Sequence, residues 1–161
     1  MTLTTTGVIR QTRPRNVVWI GTLLLALGIG AVGGGWAMTF GVGDGTMLPD
    51  EYLDALPLVN SWVIPGLGLI LGFGVGSLVA AFGVLQRPHW NRASGIERAT
   101  GYHWSWIATI VIGAGQVIWI GLEFIFIPFS WLMPTFGLIG LALALLPLTG
   151  SAREHLQKPR P

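Results

Sequence analysis

Four long apolar runs dominate this chain and leave it few ways to fold. They cover Val17–Met38, Trp62–Gln86, Trp104–Phe126 and Leu132–Leu148, each 17 to 25 residues long. At 1.5 Å of rise per residue, such lengths suit a hydrocarbon core of about 30 Å. Glu123 is the only acid inside them, and they hold no Lys, Arg or His. A bilayer interior offers no water to backbone amides, so each span must satisfy its own hydrogen bonds. Helices do this, and the runs lack the period-two alternation of a membrane barrel. The expected fold is all-α: an integral membrane four-helix bundle. Residues 1–15 would form a polar arm, 16–149 the four-span bundle and 150–161 a tail.

Charge is laid out in alternating blocks. Arg10, Arg13 and Arg15 precede the first run. Asp44, Asp50, Glu51 and Asp54 fill the next connection, without a base. Arg87, Arg92 and Arg98 stand in the third block against Glu97, and Arg153, Lys158 and Arg160 in the last against Glu154. Basic segments stay on the cytoplasmic side of a membrane. Both termini and the 87–103 connection are therefore expected inside, and the acidic connection outside. These basic blocks are short and abut spans, so they read as topology signals rather than nucleic-acid sites. One Lys among nine basic residues, with 24 Gly, suggests a GC-rich bacterial genome and so a bacterial plasma membrane. The first run is longer than the apolar core of a cleaved signal peptide.

The connections carry their own signals. Gly43-Asp44-Gly45 reads as a turn, and Pro49-Asp50-Glu51 as a helix start. Leu48, Tyr52 and Leu56 then fall four apart, which predicts a short interfacial helix on the outer surface. Trp104 to Leu148 is too long for one crossing, and the Pro128–Trp131 segment supplies its turn. Gly68, Gly72 and Gly76 recur every four residues, with Gly30 and Gly34 offered by the first span. Small residues at this spacing let helix backbones approach closely. They are expected to pack spans 1 and 2 together, with a dimer seam as the alternative.

Candidate chemistry is sparse. The chain has no cysteine, which removes disulfide exchange, thiolate metal sites and iron–sulfur clusters. No span offers a histidine to ligate haem, because His89, His103 and His155 all lie in the basic segments. The outer acids do not follow an EF-hand spacing. No cofactor, metal or catalytic constellation is expected. What stands out is one face of span 3: Thr109, Gln116 and Glu123 are seven apart, with Trp119 close by. Counted from Trp104, Gln116 lies about 18 Å along the helix and Glu123 about 28 Å, near the outer edge. Two readings follow. Either Glu123 is a hydrated rim carboxylate and Gln116 is interhelical glue, or both line an outward-facing cavity that binds a proton or a cation.

The stretch from Gly33-Gly34-Gly35 to Leu53-Asp54-Ala55-Leu56-Pro57, then Trp62-Val63-Ile64-Pro65-Gly66, resembles a group of small four-span bacterial integral membrane proteins. Gln116-Val117-Ile118-Trp119-Ile120-Gly121-Leu122-Glu123 and Phe129-Ser130-Trp131-Leu132-Met133-Pro134 extend the resemblance. It implies architecture and carries no activity. Small multidrug exporters also have four spans, but their essential Glu lies in the first, and this first span has no acid. The expected role is structural or accessory, in the lipid bilayer with itself or a larger membrane complex. The alternative is a small oligomeric transporter or channel that uses Glu123 and Gln116.

Overall fold

The computed structural model describes residues 13–41 and 60–157. The acidic connection and the interfacial helix expected within it lie outside these residues. All regular structure in the described residues is helical, apart from one isolated β-bridge between Tyr102 and Gln157. Four long helices carry the fold. They are α1 (Arg15–Phe40), α2 (Val63–Gln86), α4 (Trp104–Phe126) and α5 (Leu132–Leu145). Two short helices, α3 (Ser94–Thr100) and α6 (Gly150–Leu156), sit at one end. Three helices are long and apolar enough to cross a membrane. They become four if α5, its 3-10 extension Leu146–Leu148 and α6 count as one span bent by 69°. Exposed apolar side chains lie on every long helix, among them Ile29, Leu71, Ile118, Ile125 and Leu138. Such a surface suits a multi-pass membrane protein.

The long helices form two tight pairs. In α1–α2, a Cβ on Gly35 would meet the Gly66 carbonyl at 2.5 Å, and one on Gly28 would meet the Gly74 carbonyl at 3.2 Å. In α4–α5, a Cβ on Gly113 would meet the Gly140 carbonyl at 2.7 Å. Only glycine permits backbones this close, where dispersion and weak Cα–H contacts hold helices together. The α1–α2 seam therefore runs through Gly28, Gly35, Gly66 and Gly74. A Cβ on Gly68 or Gly72 would meet nothing within 4 Å, and on Gly76 only distant atoms. The face toward α1 carries Gly66, Ile70, Gly74 and Leu78 instead, and it stays continuous through a π-helical stretch from Leu69 to Val75.

The two pairs join over half their length. The shared core of Val17, Ile20, Leu24, Leu27, Ala80, Ala81, Val84 and Leu143 lies entirely toward the end where α1 begins and α2 ends. We call this end the base and the other the rim. Short elements close the base. Asn16 donates from its amide to the Thr149 and Ser151 hydroxyls at 3.1 and 3.0 Å. The His103 amide donates to the Leu156 carbonyl at 2.8 Å, and the Trp106 indole N–H to the Pro147 carbonyl at 2.9 Å. Leu156 and Ala152 are fully buried, so residues 150–156 belong to the core rather than to a loose tail.

Two outcomes follow. Gly113→Val forces a branched side chain against the α5 backbone and should cost about 1–3 kcal/mol. Gly72→Val should cost far less, and thermal unfolding in detergent compares the two. At the base, burial holds the His155 imidazole below its ordinary pKa, helped by the nearby Arg87 and Arg13 charges. The folded state thus resists a proton that the unfolded chain accepts. Stability from this group is full above about pH 6.5. It falls as the pH drops toward the folded-state value. His155→Gln should flatten the decline in melting temperature between pH 7 and pH 5.

Candidate functional site

The space between the two pairs, filled by core at the base, is a cavity at the rim. Its volume is about 480 Å³, within the usual range for a small-molecule pocket. Helix α1 contributes Leu27, Gly30, Ala31, Gly33, Gly34 and Met38 to the wall. Helix α4 contributes Gln116, Trp119, Ile120 and Glu123. Met133 and Phe136 of α5 and Leu69 of α2 complete most of the lining. A Cβ on Gly30 would meet the Phe136 ring at 2.7 Å, so this glycine lets the ring seat against α1. Gly33 and Gly34 leave the wall open: a Cβ at Gly33 would meet nothing within 4 Å, and one at Gly34 only Leu69, at 3.6 Å.

Two polar groups of α4, Glu123 and Gln116, stand on this largely apolar wall, to which Ser130 adds a hydroxyl. The Trp119 indole N–H donates to Glu123 Oε1 at 2.6 Å, one helical turn away. This bond fixes one carboxylate oxygen. The other oxygen takes no hydrogen bond from the described residues. Trp119 is itself braced by Phe73 of α2, with ring centroids 6.0 Å apart. Gln116 is 6% exposed, and its amide has no hydrogen-bond partner among the described residues. The amide is not fully enclosed but reaches the cavity, so its donors and acceptor are available to whatever enters.

Thr109 shares this helix face but not the cavity. It is fully buried nearer the base, where its hydroxyl donates to the Ser105 carbonyl at 2.7 Å. Gly30 and Gly34 serve the cavity wall. Gly68, Gly72 and Gly76 lie away from it.

Sequence reasoning missed a second polar cluster, at the base. Glu97 and His103 are 4% and 3% exposed. His103 Nδ1 accepts from the Ser105 hydroxyl at 2.8 Å and caps α4 through the Ser105 amide. Its Nε2 donates to the Pro88 carbonyl at 3.1 Å, which fits a neutral ring with the proton on Nε2. Glu97 Oε1 lies 3.8 Å from that nitrogen and accepts from the Trp104 amide at 3.4 Å. Trp104 stacks on Trp90 with centroids 4.7 Å apart. The signal was present as His103 directly before an apolar run, the position of an N-cap. Among the described residues, no group of three or more His, Cys, Asp or Glu could hold a metal ion.

Comparisons with protein-family models, with curated proteins and with solved structures found no match to this chain. The site must therefore be read from its own chemistry.

The short Trp119–Glu123 bond has a spectroscopic consequence. The Trp119 indole proton should resonate downfield of the other indole protons in a proton–nitrogen correlation spectrum. Glu123→Gln should move it upfield, because a neutral amide is a weaker acceptor than a carboxylate.

Proposed function

We propose that this chain is a four-span protein of the bacterial plasma membrane, with both termini cytoplasmic, that works as a small transporter. The base would face the cytoplasm and the cavity the outside. The orientation rests on charge. Arg13, Arg15, Arg87, Arg92, Arg98 and Arg153 all belong to basal segments, and basic segments stay inside. The acidic stretch of sequence joins helix ends at the rim.

The observation that carries the reading is the pocket itself. A carboxylate and an unpartnered amide converge on a cavity that lies at one end of the bundle, while the other end is sealed. Ionisable and amide groups are costly to place inside a membrane bundle, and where they occur they mark a ligand site or a pathway by default. An outward-open, inward-closed arrangement is one half of an alternating-access cycle. The basal elements, α3, α6 and the His103–Glu97 cluster, would form the closed gate. Gly68 and Gly72, which leave part of α2 without side-chain cover, favour a second role in assembly with another copy or a larger membrane complex.

The absence of cysteine makes the test direct. Ile120→Cys lines the pocket, whereas Thr109→Cys lies below it. In oriented vesicles, a small charged thiosulfonate added outside should label Ile120→Cys and spare Thr109→Cys. Equal protection of both positions would mean a dry core, and the accessory reading would replace the transporter.

A further inference from the structure

The pocket's lining specifies more than its existence. We infer that it takes a monovalent organic cation: an amphiphile with an ammonium head, an apolar body and a hydrogen-bonding group deeper along its length. This rests on the pocket being a ligand site.

Charge is the first argument. Among the described residues Glu123 is the only ionisable one in the lining, so they present one negative charge and no positive one. Trp119 holds one carboxylate oxygen and leaves the other to accept a donor from the ligand. An anion would meet a like charge at the Glu123 carboxylate and be disfavoured. A neutral guest would leave that carboxylate without a counter-charge. A divalent ion would want several oxygen ligands, and among the described residues Gln116 and Ser130 supply the only other side-chain oxygens in the wall.

Shape is the second. Gln116 lies seven residues from Glu123 on the same helix, about 10 Å along the axis. The wall between and opposite them is apolar, with Ile120, Met133 and Phe136. A guest that satisfies both polar groups must therefore be elongated, polar at two points and apolar between. The Trp119 and Phe136 rings add favourable faces for a cation. Trp119 acts on the guest through Glu123 and is a positioning residue for that carboxylate.

Dansylcadaverine matches this description, with a primary ammonium, a pentyl chain and a sulfonamide. Its uncharged counterpart is dansyl-pentylamide, and its anionic counterpart is dansyl-6-aminohexanoate. The experiment titrates the full chain in dodecyl maltoside with each probe and reads tryptophan-to-dansyl energy transfer. The wild type should bind the cation saturably and at least about tenfold more tightly than either counterpart, as a charge-assisted hydrogen bond implies. Glu123→Gln should erase that preference, with an unchanged circular dichroism spectrum and a cooperative melting transition reporting that the variant is folded. Gly33→Leu places a side chain in the cavity and should weaken all three probes. Adding phosphatidylethanolamine identifies the source of the ammonium: displacement assigns it to a lipid headgroup, and no displacement to a free amine.

Equal binding of the three probes, or undiminished cation preference in Glu123→Gln, would overturn the cation assignment. So would the absence of binding by any probe while Ile120→Cys remains labelled from outside. Protection of Ile120→Cys would instead remove the pocket reading on which the assignment stands.

Discussion

Close contact between glycine backbones fixes the two helix pairs, and the remaining architecture depends on it. In lipid there is little hydrophobic drive for one helix to bind another, so association relies on packing and weak polar contacts. Gly35 against Gly66 and Gly113 against Gly140 provide those contacts within each pair. Among the described residues, no glycine-to-glycine contact joins one pair to the other near the rim. There the pairs meet through larger side chains, Phe136 on Gly30 and Phe73 beside Trp119. A joint made of bulky side chains at a few points leaves space between them. The cavity is thus a product of where the glycines are.

The base is built on the opposite principle. Its residues come from distant parts of the sequence and are tied by directional bonds, Asn16 to Thr149 and Ser151, His103 to Leu156, Trp106 to Pro147. Ordering so many separate segments is entropically expensive. Satisfied hydrogen bonds and a dense core of Ile20, Leu24 and Leu27 offset that cost. One end of the molecule is therefore specified tightly, while the other keeps an open face for polar groups that have not used their hydrogen bonds.

Much of this was legible in the sequence, for definite reasons. Hydropathy delimits long spans well, because a charge at either end is costly to bury. The expected Trp104–Phe126 span coincides with α4, and the expected Val17–Met38 lies within α1. A seven-residue spacing keeps Gln116 and Glu123 on one helix face regardless of tertiary detail, so their shared outlook was readable. The glycine seam was not. Gly68, Gly72 and Gly76 are evenly spaced, but the face that meets α1 carries Gly66, Ile70 and Gly74 at the same four-residue spacing two positions away, and spacing alone does not choose between two such stripes. The basal helices α3 and α6 were also missed. At seven residues each they are too short to be stable alone. They exist because Glu97, Ala152 and Leu156 are buried against the long helices.

The π-helical stretch of α2 has a mechanical meaning. A wide turn stores one residue more than an α-helix needs. Passing that residue along the chain would turn one part of α2 by about 100° and shift it by about 1.5 Å, without unfolding the helix. Leu69, at the start of the stretch, is part of the cavity wall, and Phe73, inside it, braces Trp119. A single slip of register would therefore reshape the wall and release the support behind the Glu123 carboxylate in one movement.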